Sequence, residues 1–285
     1  MSKIVVIGIV GQSVFMSVEN FHVGGETIEA KSVHSEFGGK GFNQAVSSAR
    51  QGANTIFIGA IGEDYYNDVK NILIKEKIEP KLFVKKDNSA FASIITDPSG
   101  ANRVTVYQGA QLSIDDVLEC ENEIKNASIL VLGNEVDESI NVEAVKVAMK
   151  YNVKILYNPA PSRPLPELIK NNVLLFTPNE HETVGLENMN NVVITLGKKG
   201  CYVKQLDCYV NAYDVGDVVD TTGAGDTFNG SLAVKLMQGE KLIDAVKYAN
   251  LSSSLSVTKK YAYSSIPTKD EIELLYKEIK NAKRT

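Results

Sequence analysis

One stretch limits what this chain can fold into more than any other: Val219-Asp220-Thr221-Thr222-Gly223-Ala224-Gly225-Asp226-Thr227-Phe228-Asn229-Gly230. Small residues at Gly223, Ala224 and Gly225 let backbone N–H groups come close to a ligand. Phe228, Leu232 and Leu236 then recur at helical spacing, with Ala233 and Met237 widening the same face, so a helix follows the turn. A glycine-rich turn at a helix N-terminus receives anions, because its N–H groups have no intrahelical acceptor and the helix dipole points outward there. Asp226 puts a carboxylate beside that site, where it would repel a bound phosphate. Two readings account for it. It is a base that takes a proton from an attacking hydroxyl during phosphoryl transfer, or it is the N-cap of the helix.

A second stretch, Glu36-Phe37-Gly38-Gly39-Lys40-Gly41-Phe42-Asn43-Gln44-Ala45, leads into another amphipathic helix. Phe42, Ala45, Val46 and Ala49 share its apolar face and Gly52 is its stop. The two stretches together resemble the paired signatures of the ribokinase-like (PfkB) family of sugar and nucleoside kinases. Asn158-Pro159-Ala160-Pro161, Thr177-Pro178-Asn179-Glu180 and Thr195-Leu196-Gly197 fall between them in the family's order, so the resemblance spans nearly the whole chain. It is greatest to the ribokinase branch.

Composition narrows the function classes. An apolar content of 44% and a charged content of 23% are those of a soluble globular chain, and a net charge of −5 carries no nucleic-acid footprint. No apolar run approaches membrane-spanning length. Met1-Ser2-Lys3 leads straight into a strand, so no signal peptide is expected and a cytoplasmic location is. Cys120, Cys201 and Cys208 lack metal-site spacing. A hairpin would bring Cys201 and Cys208 face to face, reduced in an intracellular chain. His22, His34 and His181 suggest neither a metal site nor a triad and are expected in loops or on the surface.

The pattern predicts strands over Lys3 to Val10, within 14–37, over Thr55 to Ile61, at Phe83-Val84, over Ala92 to Thr96 and over Arg103 to Tyr107. Asp97-Pro98-Ser99-Gly100 is a turn signal. Helices are expected over 40–51 and Asp68 to Glu76. From Ser113 onward strands and helices alternate through Ile129 to Leu132, Val142 to Lys150, Val153 to Tyr157, Leu165 to Lys170, Val173 to Phe176 and Val192 to Leu196. A hairpin of Cys201 to Lys204 with Tyr209 to Ala212 follows, then helices over Lys241 to Val257 and Lys269 to Lys283. The expected fold class is α/β, a doubly wound, mostly parallel sheet. The resemblance implies one α/β domain from residues 1–11, 38–88 and 109–285, with a small β-sheet lid from 12–37 plus 89–108. Such a lid would exclude water from the phosphoryl group.

The resemblance also implies roles. Asp226 would be the general base, with Gly223, Ala224 and Gly225 as the anion hole. Gly39, Lys40, Asn43 and Glu135 would contact the sugar, and Asn158 would have a polar role at the site. Thr195, Gly197 and Asn179 would lie along ATP, the co-substrate, and Asn250 near its adenine. Asn179 and Glu182 would hold Mg2+ and phosphate through waters, although Pro178 to Glu182 read alone is a polar helix start. A homodimer through the lid is implied as well.

Departures from the branch concern the acceptor. Its members have Asn and Asp after the first strand, where this chain has Gly11 and Ser13. Loss of two polar contacts argues against ribose itself, and Gln12, Ser13 and Phe15 or Met16 would face the ligand. Gln111 replaces an Asn. Tyr261 and Tyr263 intrude where the branch binds a monovalent cation, so that cation is doubtful. A helix found in the branch between positions matching Glu182 and Val192 is missing. The expected function is ATP-dependent phosphorylation of a primary hydroxyl of a sugar. The rivals are a nucleoside kinase of the same family, with Phe15 and Met16 stacking on a base, and a non-catalytic sugar- or nucleotide-binding regulator.

Overall fold

Ile4, Val5, Val6 and Ile7 are all buried, so the first strand needs cover on both faces. The structure, a computed structural model, describes residues 2–99 and 101–282. Gly100 of the expected turn, Met1, and the Lys283 end of the expected last helix lie outside them. In chain order the elements are β1 (Lys3–Ile7), β2 (Gly11–Ser17), β3 (Ser32–Gly38), α1 (Lys40–Arg50), β4 (Asn54–Gly62), α2 (Tyr66–Lys75) and β5 (Ile78–Lys85). Then come β6 (Ala90–Thr96), β7 (Asn102–Tyr107), α3 (Ile114–Glu119), α4 (Glu121–Lys125), β8 (Ile129–Gly133), α5 (Glu138–Lys150), β9 (Lys154–Asn158), α6 (Glu167–Asn172) and β10 (Leu175–Phe176). The chain ends through β11 (Val193–Thr195), β12 (Cys201–Val203), β13 (Cys208–Val210), α7 (Ala224–Met237), α8 (Leu242–Ser256) and α9 (Lys269–Ala282).

The main sheet runs β10-β9-β8-β1-β4-β5, with every neighbouring pair parallel. A bridge from Phe176 to Val192 leads on to the antiparallel β11-β12-β13 sheet. Alternation along β1 sorts the core. Ile4 and Val6 pack with Phe42 and Val46 of α1, Leu232 of α7 and Val246 of α8. Val5 and Ile7 pack on the other face with Val117 of α3, Val145 of α5 and Ile169 of α6. This is the doubly wound arrangement the strand–helix alternation predicts.

The second sheet runs β3-β2-β6-β7, with β2 and β6 parallel and the other pairs antiparallel. Its period of two sets His34, Phe15, Ile94 and Val104 in one cross-strand row and Glu36, Ser13, Ala92 and Val106 in the next row on the same face.

Helices α1 and α7 touch backbone to backbone. A Cβ on Gly230 would stand 2.4 Å from Ser47 Cβ and 2.5 Å from the Gln44 carbonyl oxygen. Ser47 Oγ donates to the Thr227 carbonyl at 2.9 Å and Ser48 Oγ to the Gly230 carbonyl at 3.2 Å. Beneath them, a Cβ on Gly8 would come 2.6 Å from Gly41 Cα, so α1 also lies directly on the end of β1.

Several local expectations need correction. No helix starts at Pro178 to Glu182: Asn179 Oδ1 accepts the His181 N–H and Glu182 accepts the Asn179 N–H, which closes a turn. Cys201 faces Val210 and Cys208 faces Val203, so the two thiols are not opposed, and both are free. His34 is on a strand with its ring stacked on Tyr261, centroids 3.7 Å apart. Helix α4 was not anticipated. Among the described residues no helix is long and apolar enough to cross a membrane.

Gly230→Ala tests the helix crossing through its sign. On a free helix, alanine would gain roughly 1 kcal/mol over glycine. Here the added methyl overlaps α1, and overpacking costs about 1–3 kcal/mol. Urea unfolding should therefore show a net loss of up to about 2 kcal/mol; a gain would contradict the packing.

Candidate active site

Gly223 starts α7 with φ 77°, in the left-handed region that glycine reaches freely. Ala262 Cα and Cβ would be 3.0 Å from a side chain there, so the turn is closed by its neighbour as well. Asp226 is not the N-cap: Gly223 holds that position without a side-chain bond, and Asp226 lies in the first turn. The first-turn N–H groups have no acceptor inside the helix.

The Asp226 carboxylate is buried. Its Oδ2 accepts from Asn43 Nδ2 at 3.1 Å and its Oδ1 from Gln44 Nε2 at 3.1 Å. Both donors come from the first turn of α1, so the helix crossing sets the carboxylate's orientation. Burial raises the Asp226 pKa, while the Lys40 ammonium and the two amides oppose the rise. Lys40 is held protonated above its ordinary range, first by Asp226, against the cost of its own burial, with Glu135 and Glu182 adding to the effect. Glu135 Oε2 accepts the backbone N–H groups of Lys40 at 2.7 Å and Gly41 at 3.3 Å. Burial pushes Glu135 from 4.5 to about 7, with Lys40 opposing and Asp226 reinforcing.

A polar chain continues behind Asp226. Gln44 Nε2 also reaches Asn158 Oδ1 at 3.4 Å, and Asn158 Nδ2 donates to the Thr177 carbonyl at 2.8 Å. Thr177 Oγ1 donates to Asn229 Oδ1, and Asn229 Nδ2 to the Gly225 carbonyl at 2.8 Å. Asn158 thus lies behind the cleft rather than in it. Gln44 and Asn229 were not singled out from sequence. Both stand inside the quoted motifs, where a buried polar side chain on an apolar helix face is the available signal.

A cleft of about 390 Å³ opens between the second sheet and the α/β body. Gly11, Ser13, Phe15 and Ile94 line it from the sheet, and Gly39, Lys40, Asn43, Glu135, Gly223 and Asp226 from the body. Strand alternation turns Phe15 into the cleft and Met16 to the opposite face, which removes Met16 as a ligand contact. At Gly11 a Cβ would be 2.1 Å from the Ala90 carbonyl oxygen, so no side chain fits there. A groove of about 690 Å³ between β13, α8 and α9 is larger but holds none of these residues.

Asn179 and Thr195 are bridged, and the Thr195 N–H donates to the Pro178 carbonyl at 2.9 Å. Gly197 follows at the start of a 3-10 turn, Gly197–Lys199. These three therefore cluster at the end of β11. Asn250 is different: its amide nitrogen donates to the Val210 carbonyl at 3.2 Å and the Asn211 carbonyl at 2.8 Å, tying α8 to β13.

Among the described residues no group of three or more His, Cys, Asp or Glu side chains could hold a metal. Glu182 has one oxygen on the Asn179 N–H at 3.0 Å, and Asn179 Oδ1 is on the His181 N–H at 2.8 Å. The free Glu182 oxygen fits Mg2+ held chiefly by phosphates and waters, not by a protein cage. Asp220 Oδ1 accepts from the Thr222 N–H and hydroxyl, and Oδ2 from the Tyr261 N–H at 2.8 Å, so both oxygens are engaged.

The family model for pfkB family carbohydrate kinases matches residues 1–269. The ribokinase of Staphylococcus aureus (strain COL) is 33% identical, with 95% of this chain and 98% of that protein covered. That of Bacillus subtilis (strain 168) is 32% identical, covering 96% and 99%. Among solved structures, the ribokinase of Thermotoga maritima superposes with a TM-score of 0.87 at 29% identity, covering 97% of this chain and 100% of that one. Arabidopsis thaliana ribokinase, solved with ribose and ATP, gives 0.83 at 26% identity, covering 96% and 99%. An anion-receiving turn beside a buried, oriented carboxylate on a doubly wound sheet suits a phosphotransferase site. The chain belongs to the pfkB family of carbohydrate kinases.

Glu135 gives the site a pH signature. Its folded pKa, about 7, lies above the ordinary 4.5, so the folded chain binds the extra proton. Its contribution to stability is greatest below the unfolded pKa and is lost as pH rises through about 7, by at most about 3 kcal/mol. Urea unfolding between pH 5 and 8 should show a shallower decline in Glu135→Gln than in the wild type. Equal slopes would contradict the burial of this carboxyl.

Proposed function

We propose that the chain transfers the γ-phosphoryl group of ATP to a primary hydroxyl of a sugar bound in the cleft. The observation that carries this reading is Asp226, buried at the cleft floor, oriented by Asn43 and Gln44, in the first turn of a helix whose first N–H groups have no acceptor inside it. Asp226 takes the proton of the acceptor hydroxyl as the oxygen attacks phosphorus and the bond to ADP breaks. The N–H groups at Gly223, Ala224 and Gly225 hold the negative charge on the transferring group. Lys40 balances the charge of Asp226 and Glu135. Asn179, Thr195 and Gly197 provide a polar edge for the nucleotide, while Asn250 supports that edge through β13. Glu182 would hold Mg2+ through water, and the ion would supply charge neutralisation between the phosphates.

The second sheet would act as a lid that keeps water from the phosphoryl group. Exposed Val33, Val104, Val106 and Tyr107 on it support a homodimer formed through the lid; a monomer at all concentrations in sedimentation would remove that part.

Asn43, Lys40 and Glu135 suit hydroxyl groups, which supports a sugar, and relatives that are ribokinases support a pentose. The sheet side is apolar at Phe15 and Ile94, and Gly11 has no room for a side chain. That supports an acceptor with fewer polar contacts than ribose on this face, and Phe15 keeps a nucleoside as the second reading. A panel of sugars and nucleosides with Mg-ATP, scored for ADP formation, decides between them. Another panel member should exceed ribose in kcat/KM by about ten- to a hundredfold, the value of one lost hydrogen bond to a charged group. In the same assay Asp226→Asn should lose about 100- to 10,000-fold in kcat. Near-normal turnover in the folded variant would remove Asp226 as the base.

A further inference from the structure

Glu36 lies on β3 in the second sheet, yet its buried carboxylate is bonded to the α/β body. Oε1 accepts the backbone N–H groups of Ala262 at 2.9 Å and Tyr263 at 2.8 Å. Oε2 accepts the Ser264 N–H at 3.2 Å and the Ser264 hydroxyl at 2.7 Å. Successive N–H groups turned toward one point form a concavity that receives an anion. Here the anion is a side chain from the other sheet. A second contact runs beside it: the Tyr261 ring stacks on His34 at 3.7 Å and meets Phe15 at 5.1 Å.

The same segment touches the glycine turn. The Tyr261 N–H donates to Asp220, whose other oxygen holds Thr222. Ala262 stands where any side chain at Gly223 would be. The far end is fixed to the body. Arg50 donates to the Tyr263 carbonyl at 3.2 Å and the Ile266 carbonyl at 2.6 Å, and pairs with Glu76 at 2.7 Å. Residues 261–264 are thus anchored at one end, abut the anion turn at the other, and are held to the second sheet by Glu36.

We propose that Glu36 is a positioning residue that couples the seating of the second sheet over the cleft to the geometry of the N–H groups at Gly223–Asp226. With the sheet seated, Glu36 fixes 262–264 and Ala262 holds Gly223 in its turn. With the sheet displaced, that support loosens, and the phosphoryl group is poorly held until an acceptor is bound. Both sites bias one structural element, which is what coupling requires. This inference rests on the kinase reading above for its consequence in turnover, but not for its mechanics.

The mechanics are read by amide hydrogen exchange on the wild type, Glu36→Gln and Glu36→Ala. Both variants should speed exchange at 261–264 and at 223–226 together; acceleration confined to 261–264 would overturn the coupling. The consequence is read by kinetics and by binding of ADP with aluminium fluoride, with and without the acceptor found in the panel. The acceptor should tighten that binding in the wild type and not in Glu36→Ala. Its kcat should fall about a hundredfold, since a shift of order 1 Å suffices for that, with KM for the acceptor little changed. Glu36→Gln, which keeps one acceptor atom, should fall between, and it carries the test if the alanine variant does not fold. Folded variants with wild-type kcat and intact tightening would also overturn the proposal. Absence of any acceptor-dependent turnover in the wild type would instead sink the kinase reading, leaving the exchange result to judge the coupling.

Discussion

Gly230 lets α7 approach α1 until Ser47 Oγ reaches the Thr227 carbonyl at 2.9 Å. The position of Asp226 depends on that approach. At larger separation neither Asn43 nor Gln44 could reach its carboxylate, and a buried carboxylate without donors would be strongly disfavoured. The same contact places the N-termini of two helices at one cleft, and the N–H groups of Lys40 and Gly41 at the start of α1 are received by Glu135.

The charges in the cleft follow from this crowding. One ammonium, Lys40, interacts with both Asp226 and Glu135; Asp226 is buried, and the other two are half-buried. Burial favours the neutral form of each carboxyl, while Lys40 favours the ionised form. Asp226 has two amide donors as well as Lys40, whereas Glu135 has two backbone N–H groups and a neighbouring negative charge. Burial raises the pKa of both carboxyls against Lys40, and it pushes Glu135 up to about 7.

The second sheet contributes shape more than charge. Ser13 and Gln12 are its polar side chains at the cleft beside Phe15 and Ile94, so the charged groups of the cleft come from the body. Its attachment is polar nevertheless. Glu36 binds it to the segment behind the glycine turn, and Tyr65 donates to Gln12 Oε1 at 2.7 Å on the other side. An apolar working face held by polar edges can seat on ligands that differ in polarity, while the edges fix where it seats.

The linear chain declared its main sheet and its chemistry through short-range physics. Buried runs such as Ile4 to Ile7 read as central parallel strands, and Gly223 to Asp226 followed by a periodic apolar face read as a turn leading into a helix. Asp226 was legible as a carboxylate beside a glycine turn, whereas Lys40, Asn43 and Glu135 came from the resemblance to the family, and the structure brings all four to one cleft. What remained hidden depended on contacts across long separations. Gln44 became a partner of Asp226 only through the crossing of α1 and α7. Asn158 and Asn250 donate to backbone carbonyls that distant segments bring to them. Met16 was separated from Phe15 by the register of β2, and Gly11 was denied a side chain by Ala90 on the adjacent strand. Glu36, one residue before a glycine motif, had no local reason to be special. Its role exists only where the fold brings three N–H groups from more than two hundred residues away onto one carboxylate. Residue type and period determined the elements; tertiary packing alone decided which donors, acceptors and walls surround the polar side chains they carry.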